Sequence, residues 1–435
     1  MPERLPYVPI EALAEYVEQR VELRGWVYAL RSSGKLVFLQ LRDGTGVVQC
    51  VLFKPSAAPE LWDRVRHLKQ ESCLRVEGTV VAHQKRQGEQ ELSVDDVEVL
   101  SEPATDYPIS PKEHGTDFLM DHRHLWLRSR RQHAILKVRA ELVAAIRDYF
   151  DSRGFTLVDA PIFTPNACEG TSTLFETDFH GEPAYLTQSG QLYAEAAAAA
   201  FGKTYCFGPT FRAEKSKTRR HLAEFWMVEP EVAFLDLEGD LDLAEDFLCN
   251  IVARVLDRRR RELELLERDL EPLARIAKPF PRIRYAEAIE ILQRAGHDTH
   301  YGDDFGGDEE TVISDNFDRP VMVTHYPRTL KPFYAKTDPE DSTLALNVDV
   351  LAPEGYGEVI GGAQREDDLD TLLANIDAHQ IPRDQLEWYI DLRRYGSFPH
   401  SGFGLGLERT VSWICGLKHV RETSPFPRML TRLRP

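Results

Sequence analysis

Between residues 20 and 100 one pattern recurs: short runs of alternating apolar and polar residues, VELRGWVYAL, KLVFLQLRD, VVQCVLF, CLRVEGTVVAH and ELSVDDVEVL, separated by turn signals such as DGTG. Each run can bury only one face, so five of them in about eighty residues must curl around a shared core. The small closed solution is a five-stranded β barrel of the OB type. A chain of 435 residues is too long for that core alone and predicts two or three domains.

The segment 103–130, PATDYPISPKEHGTDFLMDHRHLWLRSR, holds prolines and a glycine without sustained periodicity. It reads as a hinge between a barrel at 1–102 and a larger unit at 131–435. In that unit HAILKVRAELVAAIRDYFDSR places apolar residues at three- and four-residue spacing, which predicts a helix over 133–153 ended by Gly154. FTLVDAPIF is a strand broken at Pro161, and strand-like pieces recur around 184–187, 204–210, 225–235 and 345–351. Two helical stretches lie between about 238 and 300, and the RRRR at 258–261 is expected on a solvated face, paired with the glutamates that follow. The predicted fold class is α+β, with mostly antiparallel strand neighbours.

A net charge of −18 argues against nonspecific coating of nucleic acid, but leaves room for a local basic site. The longest apolar runs, such as AEAAAAAF at 194–201, are too short to span a membrane, and the N-terminus lacks the order of a signal peptide. No membrane partner and a cytoplasmic location are expected. Six scattered cysteines without metal-ligand spacing read as reduced, mostly buried thiols.

Against this acidic background FRAEKSKTRRHLAEF, residues 211–225, gathers five cations and a histidine between two phenylalanines. It sits between the strand-like runs TYCFGPTF and EFWMVEPEVAF, so the cations occupy a hairpin loop. An arginine just inside the first strand can fork onto a phosphate, and an aromatic opening the second offers a face for a purine. On residue types alone a solvated basic hairpin serves as well. Near the C-terminus, SGFGLGLERTVSWICGL alternates glycines at 402, 404 and 406 before an amphipathic helix, the mark of a strand that something approaches closely.

These two stretches, preceded by GFTLVDAPIFTP at 154–165, resemble motifs two, three and one of the class II aminoacyl-tRNA synthetases. With the barrel, the chain is similar over nearly its whole length to the subgroup that activates aspartate, asparagine and lysine. GPTFRAE…TRRHLAEFWMVEPE, EVIGGAQRE and RRYGSFPHSGFGLGLER look like its asparagine-specific members. The resemblance implies an OB-type anticodon-binding barrel and a class II catalytic domain with a six- or seven-stranded antiparallel sheet flanked by helices. It also implies ATP and Mg2+, L-asparagine and tRNA(Asn) as substrate partners, and a homodimer built through motif one.

Carried over to this numbering, the resemblance assigns Arg212 to the α-phosphate of ATP, Phe225 to one adenine face, and Arg409 to the other face and the γ-phosphate. Glu214 and His221 share that pocket, while Lys215, Lys217, Arg219 and Arg220 would meet the tRNA acceptor end. Where many relatives read RAENSNTSRH, this chain reads RAEKSKTRRH, a more basic loop. Asp349 and Glu358 match the magnesium-binding carboxylates. In QSGQLYAEA, Ala194 stands where aspartate-activating relatives carry a lysine that neutralises the substrate. Glu229 and Arg365 would bind the asparagine amide, and Glu169 and Gln191 the α-amino group and backbone of the substrate. Without the resemblance, Glu229 and Arg365 read as a structural ion pair. Phe38 and Gln49 would stack on and hydrogen-bond the central anticodon uridine, with Arg31 near the nucleic-acid backbone. Three alternatives remain: an aspartate enzyme that also charges tRNA(Asn), an amide-forming ligase, and a non-catalytic tRNA-binding descendant. Against them stand, in turn, Ala194, the barrel, and the presence of Arg212, Arg409 and the paired acids.

Overall fold

The computed structural model describes residues 5–435 except 84, 85, 87, 111, 166, 167, 169–172 and 217. Glu169 and Lys217 therefore lie outside the described residues. The chain divides into two compact units, Met1–Gly115 and Thr116–Pro435.

In the first unit β1 (Arg20–Ser33), β2 (Leu36–Arg42), β3 (Val47–Phe53), β4 (Cys73–Ala82) and β5 (Gln90–Ser101) close a barrel in the order β1-β2-β3-β5-β4. The β3–β5 pairing is parallel and the others are antiparallel. The alternation seen in the sequence is the burial pattern: Val37, Leu39 and Leu41 point inward, as do Val48, Cys50 and Leu52. Phe38 and Gln49 fall on the outer face by the same period of two.

The second unit is organised by an eight-stranded sheet in the order β12-β13-β14-β15-β16-β11-β10-β6. In chain order its strands are β6 (Thr156–Leu157), β10 (Lys203–Phe211), β11 (Glu224–Ala233), β12 (Arg282–Arg284), β13 (Val321–Thr324), β14 (Asn347–Ala352), β15 (Gly357–Gln364) and β16 (His400–Gly406). The expected antiparallel sheet of six or seven strands is thus enlarged, and its two edge pairs, β12–β13 and β10–β6, are parallel. Pro161 does interrupt the first strand-like run: β6 joins the large sheet, while β7 (Phe163–Thr164) joins β8 (Glu176–Phe179) and β9 (Glu182–Leu186) in a separate three-stranded sheet.

The helices Arg130–Asp151 and Leu237–Arg258 share one core with the sheet, through Ile135, Val138, Leu142, Phe150, Phe247, Leu248 and Ile251 against Val348, Ile360, Phe403 and Leu405. Among the arginines at 258–261, Arg258 and Arg259 reach back across this pair of helices to Glu141, joined by Arg254 at 2.8 Å. One buried carboxylate thus draws three guanidinium groups, while Arg259 also keeps the expected kind of pairing with a following glutamate, Glu262 at 3.9 Å. Within 103–130, the residues Thr116–Asp121 and Arg123–Trp126 are helical, and the buried Arg123 donates to the carbonyls of Ser424 and Pro425. All six cysteines are free thiols, and four are buried. No described helix is long and apolar enough to cross a membrane.

Candidate active site

A cavity of about 700 Å³ opens on the face of the sheet formed by β11, β14, β15 and β16. Register explains the glycine-rich strand: Gly402 lies opposite Glu231, and Gly406 opposite Met227. Antiparallel partners share a face, so the side chain missing at Gly402 leaves space for Glu231, while the one missing at Gly404 leaves room for the end of Met227. A Cβ on Gly402 would collide with the Glu231 carboxylate.

One part of the cavity gathers Arg212, Glu214, Arg220, His221, Phe225, Glu310, Asp349, Glu358 and Arg409. Arg212 leaves the end of β10 with its guanidinium 5.9 Å from the centre of the Phe225 ring, and its backbone is held by Ala223. Arg409 opens the helix Leu407–Cys415 and donates to the Glu358 carbonyl at 2.9 Å, its carboxylate standing 3.3 Å away. Desolvation pushes the His221 imidazole below its ordinary pKa, and Arg409 and Arg220 add to the effect. His221 is therefore neutral at pH 7, with the hydroxyls of Ser216 and Thr218 at Nδ1. One carboxylate oxygen of Glu214 is buried with no hydrogen-bond partner among the described residues. Such an acceptor in a cavity is suited to an amine donor.

The carboxylates Asp349 and Glu358 converge beside Gly361: a Cβ built there would stand 2.7 Å from Glu358 Oε1 and 3.9 Å from Asp349 Oδ1. Asp349 Oδ2 accepts from Lys331 Nζ at 2.6 Å. Burial raises the Asp349 pKa; Lys331 opposes the shift and Glu358 adds to it. Two convergent carboxylates offer hard oxygens that fit a magnesium ion.

Glu310 was missed by sequence reasoning. Burial, with Glu358 next, pushes its pKa up to about 7, even though Arg220 is bound to it at 2.9 Å. The ion pair and the raised value point in opposite directions; a desolvated carboxylate that also faces Glu358 reconciles them. Arg220 also donates to Thr311 Oγ1 at 2.7 Å and to the Gly355 carbonyl. Here the structure departs from the expected loop-tip cation, because Arg220 is committed to the cavity wall. Lys215 and Arg219 remain exposed on the loop.

The other part of the cavity holds Ser189, Gln191, Glu229, Tyr334 and Arg365. Glu229, 5% exposed, accepts from Ser189 Oγ, from the Gly190 amide at 2.9 Å and from the Cys206 thiol at 3.3 Å. Gln191 donates to Glu195 at 3.0 Å. Arg365 forks onto Glu231, Nε to Oε1 at 3.0 Å and Nη2 to Oε2 at 2.9 Å. The alternative reading of Glu229 and Arg365 as a structural ion pair is not what forms: Arg365 takes the next carboxylate on the same strand face. Ala194 is buried in the helix Gln191–Phe201. Ser189, Glu231 and Lys331 were not anticipated; QSGQ contained a signal for the first, whereas Lys331 had none.

Arg31 and Phe38 are cross-strand partners on the barrel, the guanidinium 5.0 Å from the ring centre. Gln49 donates to Glu91 at 3.0 Å.

The family model described as tRNA synthetases class II (D, K and N) matches residues 115–430, and that of the OB-fold nucleic acid binding domain matches 21–100. An asparagine--tRNA ligase of Sorangium cellulosum is 65% identical, with 99% of each chain covered. One from Thermus thermophilus is 55% identical, over 98% of this chain and 99% of the relative. The chain belongs to the asparagine--tRNA ligases, class II synthetases. A Pyrococcus horikoshii asparaginyl-tRNA synthetase complexed with asparaginyl-adenylate superposes with a TM-score of 0.95 at 44% identity, each chain fully covered. The synthetase therefore has both units of its relatives, the barrel and the catalytic unit, in one chain.

Proposed function

We propose that this synthetase activates L-asparagine with ATP in the cavity of the second unit and passes it to tRNA(Asn) bound through the barrel. The observation that carries the reading is that one cavity is lined both by Arg212, Arg409, Asp349 and Glu358, a set suited to phosphates and their metal, and by Glu229 and Arg365, an acceptor and a donor suited to an amide. An α-carboxylate oxygen of asparagine attacks the α-phosphorus, the bond to the bridging oxygen breaks, and pyrophosphate leaves. The terminal ribose 3′-hydroxyl of the tRNA then attacks the activated carbonyl and AMP departs. Arg212 orients the α-phosphate, Phe225 and Arg409 clamp the adenine, and Glu214 accepts from its amine, so positioning and fixed charge supply the rate.

Asp349 and Glu358 would hold Mg2+, which supplies charge neutralisation at the phosphate oxygens when bound. Glu229 accepts from the side-chain NH₂ of asparagine and Arg365 donates to its carbonyl; Gln191, and Glu169 beyond the described residues, take the α-amino end. On the barrel, Phe38 and Gln49 read the central anticodon base and Arg31 its backbone, while Lys215 and Arg219 meet the acceptor end. Exposed Ile162, Phe163 and Phe179 on and beside the three-stranded sheet support a homodimer formed there. Aminoacylation for translation is expected in the cytoplasm.

The test is amino-acid-dependent ATP–pyrophosphate exchange with asparagine and aspartate in parallel. Exchange with asparagine alone supports the reading, and exchange with aspartate would overturn the pocket assignment.

A further inference from the structure

Arg365 is a long cation at the wall of an amide-binding pocket, and a guanidinium there would welcome a carboxylate at least as well as an amide. The charges behind it change that expectation. Glu231, 1% exposed and outside the cavity lining, satisfies Nε and Nη2 of Arg365 together. Deeper still, Glu195 is fully buried and meets Arg393 at 2.9 Å, His400 at 3.0 Å and the Tyr389 hydroxyl at 2.8 Å. Those partners hold it ionised despite burial. The remaining acid near Arg365 is Asp240, fully buried with neither carboxylate oxygen hydrogen-bonded among the described residues. Burial pushes its carboxyl well above the ordinary range, with Arg365 opposing the shift. The aromatic ring of Tyr334 lies 5.3 Å from the guanidinium. In this layer Arg365 is thus paired with Glu231 and Glu195 with Arg393; burial pushes the Glu231 carboxyl up, and the fork onto Arg365 opposes that shift.

We infer that Glu231 is a specificity-determining positioning residue: by forking Arg365 from behind it cancels the arginine's charge while leaving an N–H donor for the amide carbonyl, so the pocket rejects aspartate. The inference rests on Glu229 and Arg365 meeting the asparagine side chain. An ionised aspartate would bring a negative charge beside Glu229 with no net positive charge to receive it. Asparagine brings none. Ala194 leaves the pocket without the lysine that could make up the difference.

The decisive variant is Glu231→Gln, which keeps shape and an oxygen acceptor for Arg365 but removes the charge. In pyrophosphate exchange the ratio of kcat/KM for asparagine over aspartate should fall at least tenfold, with a rise for aspartate itself, and Glu231→Asp should restore most of it. Loss of both activities in equal proportion in a folded Glu231→Gln protein would show a merely structural pillar and overturn the inference.

A second measurement needs no variant. Calorimetry of aspartate binding to the unmodified protein near pH 7, in buffers of different ionisation enthalpy, should show uptake of about one proton per ligand, and asparagine none. Aspartate binding without proton uptake would overturn the inference even if Glu231→Gln fails to fold. Absence of asparagine-dependent exchange in the unmodified protein would instead strike the underlying reading of the pocket.

Discussion

The end of the cavity proposed to take the amino acid and the outer face of the barrel both present arginine, glutamine and an aromatic ring, yet they are built in opposite ways. In the cavity Arg365 is 3% exposed, Gln191 is 7% exposed, and each is locked to an acid behind it. On the barrel Arg31 is exposed, leaning on Phe38 across the strands, and Phe38 is half-buried. A small polar substrate is told from its isostere by donors and acceptors that cannot relax, because an unpaired buried group costs about 1–3 kcal/mol. A base flipped from an anticodon loop needs only a flat face and a polar edge, and stacking is worth roughly 1–3 kcal/mol per base. Rigidity is concentrated where two ligands differ by one functional group.

The largest effect that would sharpen this contrast is expected at Arg212. Arg212→Ala should lower asparagine-dependent pyrophosphate exchange by about 10³-fold or more while thermal unfolding is unchanged. Near-normal exchange in the folded variant would remove Arg212 from the reaction. Next is Glu229→Gln, which replaces an acceptor facing the substrate amide; exchange should fall by roughly 100-fold, the scale of a charge-assisted hydrogen bond. Phe38→Ala should leave exchange untouched and reduce tRNA charging by about tenfold, through the KM for tRNA. A Phe38→Ala protein that loses exchange equally would break the division of labour between the two regions.

The smallest effect concerns stability of the catalytic unit. Burial and, after it, Arg421 push the His419 imidazole down to about 4, and its Nδ1 accepts from the Arg421 amide at 3.2 Å. The unfolded chain binds that proton near pH 6.5, so the contribution is complete above pH 6.5 and lost as pH falls toward 4. It amounts to about 2 kcal/mol after allowance for partial exposure. His419→Asn should flatten the acid slope of the unfolding temperature over that window, and an unchanged slope would exclude His419 as its source.

The barrel was legible because its signal is local: alternation with turn residues fixes which side chains point inward, and Val37, Leu39 and Leu41 obey it. The helix at Arg130–Asp151 and the hairpin that carries the basic loop were legible for the same reason. The candidate cavity was legible only in part. Arg212, Phe225, Asp349, Glu358 and Arg409 line one space as their motifs suggested, but Glu310 and Lys331 come from segments with no pattern of their own. Their role depends on the charge they meet: Arg220 for one and Asp349 for the other.

By itself the sequence determined the order of elements, the barrel, the glycine-rich strand and the set of charged residues available to the site. Tertiary structure alone decided which charges pair. Glu229 and Glu231 are two residues apart on β11, so both face the same side, and nothing in their chemistry says which one Arg365 will fork. The register of β11 against β16 places Glu231 opposite Gly402, where the absent side chain lets the carboxylate lie under the guanidinium. That leaves Glu229, with Ser189 and Gly190 holding it, to line the cavity. A difference of one strand pitch, set by long-range hydrogen bonding, separates a carboxylate that forks Arg365 from one that lines the cavity.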